Sequence, residues 1–282
     1  MNIRIIPRLD IKGPNLVKGI HFEGLRVLGK PESFARYYYE NGADELFYMD
    51  AVASLYGRNS LVEIIERTAR EIFIPLTVGG GLRSTDDIQQ VLRAGADKVA
   101  LNTAVIHRPE LIREASRKFG SSTILVSIEA IKKPDGTYEA FTNYGRESSG
   151  IDALAWAERA VDLGAGELMV TSINREGTGK GYDLDLTKRI AEMVPVPVIA
   201  CGGAGAVDHI VDALLNGSAD AVSMASILHY NYIKHASAGE ADYSGEGNVD
   251  FLSRGGVFSK IRDASIADIK RSLVERKIAC RV

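Results

Sequence analysis

The sequence predicts an α/β fold, a (β/α)8 barrel made of two similar half-barrels with an insertion between the eighth strand and the last helix. Short β-branched segments alternate eight times with amphipathic segments of helical period, which is the pattern of repeated βα units and a parallel sheet. The second half of the chain also repeats the first. Such a duplication favours a closed barrel with approximate twofold symmetry; a doubly wound open sheet, the alternative, would not need it.

The eight predicted strands are apolar almost throughout, as expected of strands that are covered on both faces. They are residues 4–10, 45–50, 74–79, 97–101, 123–129, 166–171, 196–201 and 220–224. The helices predicted between and after them are residues 31–41, 59–72, 84–94, 107–118, 151–163, 185–193, 207–216 and 265–277. Start signals are visible at Pro31, Ser84 and Asp185.

The internal repeat defines the expected domain organisation. The segment that begins IPLTVGGG at Ile74 matches the one that begins VPVIACGG at Val196, an offset of 122 residues. The string RLD, ending at Asp10, matches SIE, ending at Glu129. We therefore expect one domain over residues 1–282, with half-barrels at about 1–120 and 121–282 and a rim insertion, rich in Gly, Ser and Ala, at about 231–260.

Composition and charge exclude several classes of protein. The formal net charge of −3 gives no overall field that would capture nucleic acid or an anionic membrane. No apolar run approaches a membrane span, and the N-terminal segment is too mixed for a signal peptide, so we expect a cytoplasmic protein. Cys201 and Cys280 have no metal-ligand spacing, and the five His residues are scattered, so we expect no metal and no cofactor.

Two carboxylates are the first candidates for catalysis. In barrels of this kind, the chemistry lies at the C-terminal ends of the strands. Asp10 ends the first predicted strand and Glu129 the fifth, and these strands are diametrically opposite in an eight-stranded ring. The pair suits general acid and base catalysis on either side of a substrate. Alternatively, each carboxylate is a solvated strand-end residue or the partner of a nearby lysine such as Lys18.

Two sets of small residues are candidates for phosphate binding, since glycine lets backbone N–H groups approach an anion. The first set is Gly81, Asn102 and Thr103; the second is Gly177, Gly203 and Ser226. The alternative is that these glycines only end strands in tight turns. Two matching sets predict a long substrate with a phosphate at each end. Two further polar strand-end candidates are Asp50 and Thr171, and the Gly-rich segment 19–29 is either a mobile lid or an ordinary surface loop.

The chain resembles the HisF-type cyclase subunit of imidazole glycerol phosphate synthase, from Arg4 to about Tyr230 and again over the last helix. The strings that carry the resemblance are LDIKG…LVKG, DELFYMDAVAS, PLTVGGGLRS, GADKVALNTA, GAGELMVTSINREGTGKGYD and VPVIACGGAG. The resemblance implies a barrel that takes ammonia from a glutaminase subunit. With it the barrel would convert a bis-phosphorylated phosphoribulosyl-formimino-aminoimidazole-carboxamide ribonucleotide to imidazole glycerol phosphate and an aminoimidazole-carboxamide ribotide.

The resemblance also implies roles for single residues. Asp10 and Glu129 match the catalytic carboxylates, Lys18 matches the lysine of the first loop, and Asp50 matches the Asp that ends the second strand. The ammonia gate at the N-terminal face, where the glutaminase docks, matches a ring of charged residues: Arg4, Glu45, Lys98 and Glu167. Such a ring could alternatively be only a stabilising layer of salt bridges.

Four departures from the family pattern are expected at the active face. Glu129 stands where the family has Asp, Arg8 where it has a small residue or Cys, NREGT replaces DRDGT, and the insertion at 231–260 lies over the rim. They leave two alternatives to the cyclase: a paralogue that passes ammonia to a sugar amidotransferase in surface-polysaccharide biosynthesis, or a related barrel isomerase that works without ammonia. The complete charged ring argues against the isomerase.

Overall fold

A closed ring of eight parallel strands forms the centre of the molecule, in a computed structural model that describes residues 2–53, 61–235 and 261–281. The ring strands are β1 (Arg4–Lys12), β4 (Leu46–Asp50), β5 (Leu76–Gly79), β6 (Lys98–Leu101), β7 (Ile124–Lys132), β10 (Glu167–Ser172), β11 (Val198–Cys201) and β12 (Ala221–Met224). The ring closes because β12 pairs with β1 and β7 pairs with β10. The predicted (β/α)8 TIM barrel is confirmed, and each of its eight strands lies where the sequence predicts it.

Helices follow the strands on the outside of the ring. In the described part of the chain they are α1 (Pro31–Glu40), α2 (Val62–Ala69), α3 (Thr85–Arg93), α4 (Thr103–His107), α5 (Glu110–Phe119), α6 (Ala153–Asp162), α7 (Leu184–Ala191), α8 (Val207–Leu215), α9 (Ser226–His235) and α10 (Ile266–Glu275). Pro31 occupies the first turn of α1, and Ser84 forms a capping box with Asp87 on α3. Asp183, not Asp185, caps α7, because its carboxylate accepts the backbone N–H of Leu186.

Two apolar layers result from the alternation of side chains along the strands. On β1, Ile5 belongs to the core between strands and helices, whereas Ile6 belongs to a second cluster with Phe47, Leu125 and Met169. The members of this second cluster come from strands all around the ring, so it fills the barrel interior. A charged side chain on the inward face of a strand must therefore find its partners inside the barrel.

Two β-hairpins extend the barrel at its C-terminal end, and neither was predicted. Strands β2 (Asn15–Ile20) and β3 (Glu23–Gly29) continue from β1, and strands β8 (Tyr138–Thr142) and β9 (Glu147–Asp152) continue from β7. Their turns place non-glycine residues at positive φ, His21 and Phe22 in the first and Asn143 and Tyr144 in the second. Tyr144 follows Phe22 by 122 residues, so the half-barrel repeat includes both hairpins.

The predicted insertion at 231–260 begins inside α9, and residues 236–260 lie outside the described residues. The start predicted for the second helix, at residues 59 and 60, also lies outside them. Within the described ranges, no helix is long and apolar enough to cross a membrane.

Candidate active site

Asp10 and Glu129 lie on opposite sides of the barrel, as the repeat predicts. Going round the ring, β1 and β7 are separated by the same number of strands in both directions. Both side chains are almost completely buried, with exposed fractions of 1% and 2%. Neither is the solvated strand-end residue of the alternative interpretation.

The two carboxylates have unequal acidity. Burial raises the pKa of Glu129 to about 7, and the charge of nearby Asp10 adds to the rise although Arg8 opposes it. Burial would also raise the pKa of Asp10, but the positive charges of Arg8 and Lys18 more than offset it, so this pKa is below its ordinary value. At neutral pH one carboxyl group therefore holds a proton readily while the other stays ionised, which is how an acid and base pair is divided in an enzyme.

Arg8 is the direct partner of Asp10. Its Nε donates to Asp10 Oδ1 at 2.9 Å, and its Nη1 donates to Cys201 Sγ at 3.6 Å. The guanidinium carbon lies 5.3 Å from the ring centre of Phe22 and 5.7 Å from that of Phe47, so the cation is held between two aromatic rings. The sequence singled out Arg8 only as a departure from the family; its spacing of two residues from Asp10 could have indicated a shared inward face.

The first predicted phosphate cradle lines a cavity of about 440 Å³ at the barrel mouth. Gly81, Asn102 and Thr103 all line it, together with Asp50 and Glu129. Asn102 Nδ2 donates to Glu129 Oε2 at 3.2 Å, and Thr103 Oγ1 accepts the backbone N–H of Asn143 at 2.9 Å. The first predicted set is thus brought together beside one of the two carboxylates.

The second predicted cradle lines a much smaller cavity of about 20 Å³. Gly177, Gly203 and Ser226 line it, together with Lys18 and Arg8. Thr171 lines neither cavity. It pairs with Glu129 in the register of β7 and β10, and its buried hydroxyl has no hydrogen-bond partner among the described residues.

An ion pair between Lys18 and Glu176 lines the second cavity. Both side chains are buried, and they join the β2–β3 hairpin to the loop after β10. The same two segments are joined by a hydrogen bond from the backbone N–H of His21 to the carbonyl oxygen of Glu176 at 3.1 Å. The predicted lid or loop at 19–29 is therefore largely a β-hairpin that lies against the barrel mouth.

An aromatic pair from the two hairpin turns covers the carboxylates. The ring centres of Phe22 and Tyr144 lie 4.3 Å apart, and both residues are at least nine-tenths buried. A Cβ atom at Gly145 would lie 2.9 Å from the Phe22 ring, so glycine permits this close approach. Sequence reasoning missed both aromatic residues; their matching positions in the repeat were the available signal.

The charged ring lies at the opposite, N-terminal end of the barrel, where its residues stand at or beside the starts of four strands. Arg4 donates to Glu45 at 2.8 Å and to Glu167 at 2.6 Å, and Lys98 Nζ donates to the same two carboxylates at 3.1 Å each. Cations and anions thus alternate around a closed four-membered ring. All four residues that the resemblance singled out are members of it.

Comparisons with known proteins identify the family of the chain. The family model described as "Histidine biosynthesis protein" matches residues 4–234. A Legionella pneumophila protein named imidazole glycerol phosphate synthase subunit HisF is 56% identical over 208 residues, which cover 74% of this chain and 98% of that protein. A subunit of the same name from Alkaliphilus metalliredigens is 44% identical over 230 residues, which cover 82% of this chain and 91% of that protein. The chain therefore belongs to the histidine biosynthesis protein family, among its HisF-type cyclase subunits.

Proposed function

We propose that this cyclase subunit combines ammonia with a phosphoribulosyl-formimino-aminoimidazole-carboxamide ribonucleotide, and that Asp10 and Glu129 are its catalytic acid–base pair. The products are imidazole glycerol phosphate, the aminoimidazole-carboxamide ribotide and water. Family membership supports the reaction. The observation that carries the residue roles is the pair of opposed, buried carboxylates of unequal acidity.

The unequal acidity assigns a direction to the first proton transfers. Ammonia attacks the ribulosyl carbonyl carbon, while the protonated Glu129 gives its proton to the carbonyl oxygen. The ionised Asp10 accepts a proton from the attacking nitrogen and returns it to the hydroxyl group, which leaves as water while Glu129 takes a second proton from the nitrogen and the imine forms. Closure of the imidazole ring then breaks a carbon–nitrogen bond, and two protons, one from a ring carbon and one from a ring nitrogen, pass through the two carboxyl groups to the nitrogen of the departing amine. Each carboxyl group ends in the protonation state in which it began.

We assign the two cradles to the two phosphates of this substrate. The first lies beside Glu129 in an open cavity that can receive an anion. The second has space for about one water molecule, so a phosphate can enter only if the hairpin that carries Lys18 moves. Because Lys18 is paired with Glu176, an arriving phosphate would replace that carboxylate as the lysine's partner. Hairpin movement would thus accompany substrate binding.

The N-terminal face is the proposed docking site of the glutaminase partner. The charged ring lies there, and so do three exposed apolar residues, since strand starts and the ends of the preceding helices meet at one end of a barrel. Phe73 precedes β5 and is 79% exposed, Leu215 ends α8 and is 62% exposed, and Val274 lies in the last turn of α10 and is 51% exposed. They are the large hydrophobic residues most exposed in the described part of the chain, and they favour an interface at the ring.

The activity is tested with the purified protein, the phosphoribulosyl substrate and an ammonium salt, by following the loss of substrate absorbance. We expect turnover by the wild type and its loss in Asp10→Asn. The matched control is Asp86→Asn, because the Asp86 side chain is 92% exposed on α3. A barrel that only conducts ammonia would bind the substrate and leave it unchanged, and this result would refute the proposed reaction.

A further inference from the structure

The half-barrel repeat gives each carboxylate an equivalent neighbour two residues earlier on its strand. For Asp10 this neighbour is Arg8, and for Glu129 it is Ser127. Residues two apart on a strand share a face, so both neighbours stand next to the carboxylate they precede. An exact repeat would make the two carboxylates alike. The difference between a guanidinium and a hydroxyl at these positions therefore breaks the symmetry of the pair, in addition to the difference between Asp10 and Glu129 themselves.

The contacts of the two neighbours differ accordingly. Arg8 is 2% exposed, donates to Asp10 at 2.9 Å, and is held between the rings of Phe22 and Phe47. Ser127 is completely buried, and its Oγ has no hydrogen-bond partner in the part of the chain that the structure describes. The donors that face Glu129 are neutral, namely the Asn102 amide at 3.2 Å and the backbone N–H of Gly145.

We propose that Arg8 is a positioning residue that makes the two carboxylates unequal, so that Asp10 is the ionised base and Glu129 carries the proton. The inference rests on the proposed function, because it explains how that acid–base pair is divided. A buried ion pair with direct hydrogen bonding strongly favours the charged form of its carboxylate. Arg8 donates its hydrogen bond to Asp10 and acts on Glu129 only through its charge, so the repeat's equal positions become unequal sites.

The other charged and titratable groups around Asp10 do not replace Arg8. They come from the segments packed against it: Lys18 on β2, Glu129 on β7, Tyr144 in the β8–β9 turn, Glu176 after β10 and His229 on α9. Lys18 is already paired with Glu176. Burial lowers the pKa of His229 to about 3, so this imidazole is neutral. Arg8 exerts the largest attraction on the Asp10 carboxylate.

Three variants test this role. Arg8→Met keeps much of the side chain's length and removes its charge, Arg8→Lys keeps the charge, and Ser127→Ala is the control at the symmetry-related position. The pH dependence of kcat/KM is measured at constant free ammonia. In Arg8→Met, the acidic limb, which reports the ionisation of the base, should move up by about one pH unit or more. In Arg8→Lys the acidic limb should return to near its wild-type pH, and in Ser127→Ala it should stay at the wild-type pH.

Two outcomes would overturn the role of Arg8: a loss of activity in Arg8→Met without movement of the acidic limb, or an identical limb in Arg8→Lys and Arg8→Met. A titration of the wild type tests the division of the pair without the Arg8 variants and without any turnover. In isotope-edited carboxyl NMR, with resonances assigned from Asp10→Asn and Glu129→Gln, Asp10 should stay ionised between pH 5 and pH 8 while Glu129 titrates. Titration of both groups together would refute the inference. Absence of turnover with the expected titration would instead refute only the proposed reaction.

Discussion

The buried carboxyl group of Glu129 should make the folded protein less stable as the pH rises, and Glu129→Gln should remove this dependence. In the folded protein its pKa is about 7, against an ordinary value of 4.5. The folded state thus binds this proton more tightly than the unfolded chain does, so the stabilisation is complete below pH 4.5 and is lost as the pH rises through 7. The difference between these two pKa values, at 1.36 kcal/mol per pKa unit, corresponds to a loss of about 3 kcal/mol in the free energy of unfolding.

Thermal unfolding of the wild type and Glu129→Gln at pH 5 and pH 8 measures this effect. About 2.5 kcal/mol of this loss falls between pH 5 and pH 8. For a chain of this length, 1 kcal/mol corresponds to about 2 °C in Tm, so the variant should gain about 5 °C relative to the wild type between the two pH values. The matched control is Glu63→Gln, since the Glu63 side chain is 90% exposed and its substitution should show no such change. An equal difference in Tm between wild type and Glu129→Gln at both pH values would refute the buried, proton-holding role of Glu129.

Three further predictions concern the same groups and the opposite face. Asp10→Asn should lower the free energy of unfolding by about 3–5 kcal/mol in denaturant titrations, because it leaves the buried Arg8 charge without its counterion; an unchanged midpoint would contradict the ion pair. Turnover at constant free ammonia should fall as the pH rises through about 7, where Glu129 loses its proton; a flat profile would contradict its role as the acid. Phe73→Glu should weaken glutaminase binding at least about tenfold in titration calorimetry while ammonium-dependent turnover persists; Asp135→Lys, at the other end of the barrel, should bind normally.

The positions of the two carboxylates could be predicted because the repeat acts on the whole barrel. Once RLD and SIE are aligned, strand order alone places Asp10 opposite Glu129. The glycines of the two cradles followed from the same alignment, since each follows a strand in its own half. These features depend on topology, which apolar periodicity and an internal repeat encode well.

The first hairpin could not be predicted because its turn lacks the usual residues, whereas the second turn holds Asn143 and Gly145, a signal that sequence reasoning missed. Two-residue hairpin turns favour Gly, Asn or Asp at positive φ, but His21 and Phe22 occupy both positions of the first turn. The tertiary contacts of Phe22, which packs on Tyr144 and on the Arg8 guanidinium, offset the conformational strain. No local pattern in the sequence shows such contacts.

The ion pairs inside the barrel mouth could not be predicted from the sequence either. Lys18 and Glu176 are 158 residues apart, and their contact depends on how the first hairpin lies against the loop after β10. Arg8 and Asp10 are close in sequence, but their hydrogen bond depends on an inward rotamer that the flanking aromatic rings select. Both ion pairs therefore depend on tertiary packing and not on the local conformational preferences of the residues.

The most direct test of the reaction is the fate of isotopically labelled ammonium in a single turnover with the bound phosphoribulosyl substrate. The proposed roles of Asp10 and Glu129 predict that the wild type places the labelled nitrogen in the imidazole ring of the product, and that Asp10→Asn binds the substrate without incorporating label. Intact, unlabelled substrate recovered from the wild-type complex would contradict the reaction, and label incorporated by Asp10→Asn would contradict the role of its carboxylate.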